Sequence, residues 1–293
     1  GLVKGASKGE GLGNQFLASI RECDAIVQVV RCFDDDNIIH VDGKVDPIRD
    51  IEVINTELLL SDLESLTKQR TKFEKLARSG DKEGASQLKI IDTIIDALNN
   101  GKLAKSINFT DDEKKFVKGL FLITDKPVIY ACNIAEGDLQ KDEDSLQYVK
   151  QVKEYAKKEG SEVLVISAKV EQELTELDPA DRQMFLEDLG LAESGLNRII
   201  KLGYKLLGQI SYLTAGEKEV RAWTIINGTK APGAAGKIHS DFEKGFIKAE
   251  VVSYDDLVKY GSVANAKDAG KVRMEGKDYI VKDGDVIVFR FNV

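Results

Sequence analysis

Three runs of β-branched and other apolar residues constrain this chain most: Ala25-Ile-Val-Gln-Val-Val, Pro127-Val-Ile-Tyr-Ala-Cys-Asn and Val163-Leu-Val-Ile-Ser-Ala. Each is short and continuously apolar, the pattern of a strand buried on both faces of a parallel sheet. Between the second and third runs, residues 144–158 carry helical periodicity and stop before Gly160, a natural C-cap. Strand, helix and strand with short links make a βαβ unit. Further helices are expected over 15–22, 178–189 and 195–207, so the fold class is α/β.

A long helical stretch separates the first two strands. Residues 48–78 place Ile54, Leu58, Leu60, Leu63 and Leu66 at helical spacing, Ser79-Gly-Asp-Lys-Glu-Gly breaks the pattern, and 85–99 resumes it. This describes an antiparallel hairpin about 45 Å long at about 1.5 Å per residue. It is either a hairpin packed into the core or an arm offered to a partner. After residue 208 the chain changes character. Trp223-Thr-Ile-Ile-Asn-Gly, Phe246-Ile-Lys-Ala-Glu-Val-Val, Tyr279-Ile-Val and Asp285-Val-Ile-Val-Phe-Arg-Phe read as strands of a small mixed β domain, with a helix over 254–260.

The net charge of −8 argues against indiscriminate coating of nucleic acid. From Ile210 onward, however, 13 Lys and Arg stand against 12 Asp and Glu, so contact with RNA suits the tail better than the body. Lys230, Lys237, Lys244 and Lys248 fit such a contact, although scattered lysines also make an ordinary solvated surface. Cys23, Cys32 and Cys132 form no C-x-x-C pair and read as free thiols, two of them buried, in a reducing cytoplasm. No apolar run is long enough to cross a bilayer, so no membrane partner is expected.

No segment fits the phosphate-wrapping G-x-x-x-x-G-K-[ST] loop. Gly236-Lys237 is followed by Ile238, and Gly9-x-Gly11-x-Gly13 leads into Asn14 with no strand before it. A different signal stands at the end of the second apolar run, Asn133-Ile-Ala-Glu136. Guanine-binding domains hold Asn-Lys-x-Asp there, and the Asp carboxylate accepts from the guanine N1–H and amino group. A Glu is one methylene longer and Ile134 replaces the Lys stem, so the preference for guanine should be lost. Taken alone, N-x-x-E is a weak signal and is better read as a surface turn. Its position, with Ser167-Ala-Lys169 closing the third run, gives it meaning.

The resemblance that these residues carry is to the YchF/Obg-like ATPases. The opening Gly1-Leu-Val-Lys-Gly-Ala-Ser-Lys-Gly-Glu-Gly-Leu-Gly resembles their switch II segment. Val29-Val-Arg-Cys-Phe, Asn37-Ile-Ile-His-Val, Ile54-Asn-Thr-Glu-Leu, Asn133-Ile-Ala-Glu, Ser167-Ala-Lys, Glu219-Val-Arg-Ala-Trp-Thr, Ile238-His-Ser-Asp-Phe and Asp283-Gly-Asp-Val-Ile-Val-Phe-Arg-Phe follow in the family's order. The resemblance implies a Rossmann-like P-loop nucleotide domain over 1–50 and 123–207, incomplete at its start. It further implies an inserted helical arm over 51–122 and a β-grasp TGS domain over 208–293. It also implies ATP preferred over GTP, Mg²⁺ dependence, a cytoplasmic location and binding to the ribosome through its large subunit, with RNA contact through the TGS domain and arm. Asn133, Ile134 and Glu136 take the base-recognition role, Ser167, Ala168 and Lys169 the flanking loop, and Gly1, Leu2 and Val3 the switch II role. The family's P-loop, switch I and metal-side Asp find no counterpart in these residues, so the phosphate and Mg²⁺ ligands are not assigned. A chain starting at Gly1 is expected to be unstable and inactive alone.

Hydrolysis needs a positioned water. Ras-like enzymes use a Gln after the switch II glycine, whereas Leu2 can neither donate nor accept. His40, in a polar loop, is the candidate for water activation, with a structural loop histidine as the competing reading. Two other functions remain open: a ribosome- or RNA-binding module with incidental turnover, and a true GTPase.

Overall fold

The computed structural model describes residue 5 and residues 13–35, 37, 43–216 and 219–292. The chain divides into two compact units, Gly1–Ile200 and Lys201–Val293.

The first unit begins with α1 (Gly13–Glu22), β1 (Ile26–Arg31), α2 (Pro47–Arg78), α3 (Lys82–Asn99) and α4 (Asp111–Lys118). It continues with β2 (Val128–Asn133), α5 (Gln147–Glu159), β3 (Glu162–Ile166), α6 (Ala168–Glu176) and α7 (Pro179–Asp188), and α8 (Gly195–Leu206) crosses its boundary. The three strands form a parallel sheet in the order β1-β2-β3, with Val30 opposite Cys132 and Cys132 opposite Val165. One face of it (Val30; Val128, Tyr130 and Cys132; Val165) packs on Ile51 of α2 and on Val149, Val152 and Ala156 of α5. Cys32 and Cys132 are buried free thiols and Cys23 is exposed. Burial of both faces holds for β2, whose first five residues are all buried, but not for β1. Val27 and Val29 are 42% and 63% exposed. Among the described residues β1 is an edge strand, and nothing covers its second face.

Short-range signals explain the helices. Asp46 caps α2 by accepting from the Arg49 N–H, and Pro47 supplies a helical φ at the first position. A turn at Ser79–Asp81 reverses the chain, and the Asp81 carboxylate caps α3 through the Glu83 N–H. With 32 residues, α2 runs about 48 Å at about 1.5 Å per residue. The hairpin has its own core of Leu66, Ile90, Ile91, Ile94 and Leu98, extended by Val117 of α4 and an edge-to-face pair of Phe73 and Phe116. Its base is held by Asp62, fully buried on α2. That carboxylate accepts from the Ile123 N–H (3.1 Å), the Thr124 N–H (2.8 Å), the Thr124 hydroxyl (2.7 Å) and the Arg21 guanidinium (2.7 Å). The helix expected over 144–158 is α5 preceded by a 3₁₀ turn at Glu143–Ser145. It ends at Gly160 in the left-handed region (φ 67°), which only glycine enters without strain.

The second unit contains β4 (Gln209–Ala215), β5 (Val220–Ile226), α9 (Ala231–Ile238), α10 (Ser240–Lys244), β6 (Phe246–Ser253), α11 (Tyr254–Tyr260), α12 (Val263–Asp268), β7 (Arg273–Glu275) and β8 (Asp285–Phe291). Its sheet has the order β5-β4-β8-β6-β7; β4 and β8 are parallel and the other pairs antiparallel. Tyr212, Ala234, Ala235, Ala249, Val251 and Ile287 fill the core between this sheet and α9, a β-grasp arrangement. The Tyr212 hydroxyl donates to the Ala234 carbonyl (2.8 Å), which keeps a buried phenol paired. Tyr279-Ile-Val, expected as a strand, makes only the isolated bridge between Ile280 and Lys230.

Candidate nucleotide-base corner

The two loops singled out in the sequence meet at the carboxyl edge of the parallel sheet. Asn133 ends the central strand and is pinned from both sides. Its carbonyl accepts from the Cys32 N–H (2.8 Å), and the next amide, Ile134 N–H, donates to the Ile166 carbonyl (2.9 Å). The Asn133 side chain crosses to the neighbouring loop, where Oδ1 accepts from the Ala168 N–H (2.9 Å). Ala168 is the first residue of α6, so a side chain from another strand satisfies one of the free amides at the helix start. Ser167 occupies the capping position without capping. It is 2% exposed, and its hydroxyl has no hydrogen-bond partner among the described residues.

A second link joins the loops. Glu136 opens a 3₁₀ turn, Glu136–Asp138, and its Oε2 lies 2.6 Å from the Lys169 Nζ. The Glu136 carboxylate, and beyond it Glu173, raises the Lys169 pKa. Both groups remain open to solvent, Glu136 at 39% and Lys169 at 68%. The Ile134 side chain turns into the core. It is 3% exposed and belongs to the core cluster with Cys132, Val149 and Val152. An aliphatic side chain following a buried strand gains more by joining the core than by facing solvent.

The supports of this corner were not apparent in the sequence. Glu171 on α6 accepts from the Gly195 N–H (2.6 Å) and the Leu196 N–H (3.1 Å), so a carboxylate stands at the start of α8. A Cβ on Gly195 would come within 2.7 Å of Ile166 Cγ2 and 2.8 Å of Glu171 Oε1, so only glycine permits this approach. The Arg198 guanidinium donates to the Val165 carbonyl (3.1 Å). Their sequence signal is weak, because a lone Glu, Gly and Arg acquire meaning only from contacts across the fold.

His40, Gly1, Leu2 and Val3 lie outside the described residues. Gly5, in the same opening, donates its N–H to the buried Glu57 carboxylate (2.7 Å). A groove of about 500 Å³ lined by Thr214, Ile238, Phe242 and Phe289 lies in the second unit, and one of about 370 Å³ lined by Lys72, Phe73, Lys115 and Phe116 lies on the arm. Neither includes a residue of the base corner. The described residues contain no group of three or more His, Cys, Asp or Glu suited to hold a metal ion. None of their helices is long and apolar enough to cross a membrane.

A parallel sheet with loops converging at its carboxyl edge is the architecture of an α/β nucleotide-binding protein. Within that class the chain belongs to the YchF family. It is 54% identical over all 293 residues to the ribosome-binding ATPase YchF of Bacillus subtilis and 52% identical to that of Escherichia coli O157:H7, covering 80% of each relative. Residues 209–292 match the family model YchF-GTPase_C, described as a protein of unknown function (DUF933). The solved YchF GTPase of Schizosaccharomyces pombe is 38% identical and superposes with a TM-score of 0.83, over 98% of this chain and 78% of its own. A GTP-binding protein from Pyrococcus horikoshii OT3, at 20% identity and a TM-score of 0.58 over 94% of this chain and 81% of its own, shares the fold.

Proposed function

We propose that the protein is a cytoplasmic nucleotide switch that binds and hydrolyses ATP in preference to GTP and associates with the ribosome. The bacterial relatives are named ribosome-binding ATPases and the Schizosaccharomyces pombe relative a GTPase, so hydrolysis of a nucleoside triphosphate is common to both names and the base is the finer question. The observation that carries the reading is the corner where Asn133 and Glu136 meet Ala168 and Lys169. Loops stitched in this way form a preorganised edge for a base, with Glu136 as its acceptor. A carboxylate a methylene longer than aspartate displaces the acceptor from the position that guanine needs, and a mis-set polar contact in a base pocket is costly. Ala168 and Ser167 would shape the flank of the base, while Ile134 holds the loop from the core.

Mg²⁺ would arrive with the triphosphate and balance charge on its oxygens. The described residues offer no cluster of three or more His, Cys, Asp or Glu for it. His40 is the proposed water-orienting residue, because Leu2 has no group for that task. The arm over 51–122 and the TGS domain over 208–293 are the proposed contacts with the large ribosomal subunit and its RNA.

The test is a side-by-side measurement of Kd and turnover for ATP and GTP in the full-length protein. Tighter binding and faster hydrolysis of ATP are expected; tighter binding of GTP overturns the base assignment. A second reading, an RNA-binding module with incidental turnover, draws on the long arm and the balanced charge of the tail. Co-sedimentation with ribosomes separates the two. Retention that differs between ATP and ADP supports the switch, and indifference to nucleotide supports the module.

A further inference from the structure

We infer that Tyr148 is a positioning residue for hydrolysis, which fixes, through Asp34, the start of the loop that carries His40. This rests on the water-orienting role proposed for His40 above. Strand β1 ends at Arg31, opposite Asn133, so the chain leaves the sheet beside the base corner. Its next residues are gripped one after another. The Arg31 guanidinium donates to the Phe33 carbonyl (3.1 Å) and the Asp35 carbonyl (3.2 Å), and it lies over the Phe33 ring, 4.9 Å from the centroid. Between those two carbonyls, Asp34 is held from another element. The Tyr148 hydroxyl, on α5, donates to its carboxylate and lies 3.1 Å from each oxygen. The Asp35 carboxylate in turn accepts from the Asn37 N–H (2.8 Å).

The far side of the loop is held as well. Arg49 donates to the Lys44 carbonyl (2.7 Å), and Asp46 caps α2. His40 follows Asn37 by three residues, so covalent geometry alone keeps its Cα within about 11 Å of the Asn37 Cα. Closing a loop costs entropy that grows with the length left free, so anchoring both shoulders narrows what His40 can sample. A side chain that orients water gains rate from being held near its working place. Of these anchors, Tyr148 is the one supplied from outside the loop's own neighbourhood in sequence. It acts through Asp34 and touches no reacting atom. Its ring packs against the core of the first unit, so the hydroxyl alone is the part free for this task.

The test uses full-length wild type, Tyr148→Phe, His40→Ala and the double variant. For each, kcat is measured at saturating ATP and the Kd for ATP by calorimetry. Phenylalanine keeps the packed ring, and thermal unfolding checks that the variants fold. Tyr148→Phe is expected to lower kcat about two- to fivefold, the worth of one modest hydrogen bond, at an unchanged Kd. His40→Ala is expected to lower kcat further, and adding Tyr148→Phe to it should change nothing more. An unchanged kcat in Tyr148→Phe, beside an impaired His40→Ala, overturns the inference and leaves the role of His40 standing. A Tyr148→Phe loss that persists in full in the His40→Ala background overturns it too, as does one that appears in Kd instead of kcat, since the bond would then serve the fold or nucleotide binding at large. Unchanged hydrolysis in His40→Ala overturns the role of His40 and this inference together.

Discussion

The Ser167 hydroxyl is buried and unpaired among the described residues, at the point where α6 begins. A buried donor without a partner is a cost that an alanine does not carry. Ser167→Ala is therefore expected to leave stability unchanged or to raise it by up to about 1 kcal/mol in chemical denaturation. A loss above about 2 kcal/mol would show that the hydroxyl has a partner. Tyr155 is a second residue whose chemistry can be read out. Burial first, and then the Glu159 carboxylate, push its pKa up to about 12, while the Asn55 amide donates to its hydroxyl. Tyr130, which donates to Glu159, is shifted the same way and for the same leading reason. The folded protein thus holds these protons more tightly than the unfolded chain. The contribution of Tyr155 is fully present below about pH 10 and is lost as pH rises toward about 12. Melting temperatures measured across that window should fall, and Tyr155→Phe should flatten the fall; an equally steep curve in the variant contradicts this.

At the scale of elements, a buried carboxylate joins apolar packing in anchoring the arm. Removing Asp62 orphans the Ile123 and Thr124 amides and leaves Arg21, 22% exposed, with hydrogen bonds to Ser61 and Phe121 but without its carboxylate. Breaking a buried pair of this kind costs about 3–5 kcal/mol. Asp62→Ala should lower the unfolding free energy by about that amount, and a loss below about 1 kcal/mol would mean that other contacts hold the arm. The hairpin was legible in the sequence because its signals are local: the break at Ser79-Gly-Asp, and leucine and isoleucine at helical spacing. Strands β4 and β7 were not legible. Gln209–Ala215 and Arg273–Glu275 mix polar with apolar residues, and their strand character comes from partners in β5, β8 and β6. The same limit applies to the corner. Asn133-Ile-Ala-Glu and Ser167-Ala-Lys were each visible as motifs, but the contacts between them span 35 and 33 residues and exist only in the fold. The burial of the Ile134 side chain was hidden for the same reason.

At the scale of the whole molecule, each unit answers a separate requirement. The first brings two loops together at one end of a parallel sheet and carries a hairpin about 48 Å long. The second wraps a mixed sheet around α9, and its residues from Ile210 onward have nearly balanced charge. A nucleotide switch needs a site that distinguishes bound states and surfaces through which a partner senses them. In the proposed switch the adenine base rests between Asn133–Glu136 and Ser167–Lys169. Photolabelling of the full-length protein with 8-azido-ATP, followed by mass spectrometry of the labelled peptides, tests it most directly. The account predicts label on peptides containing residues 133–136 or 167–169, suppressed by excess ATP and less by GTP. Label confined to other peptides, with the same competition by ATP, would contradict it.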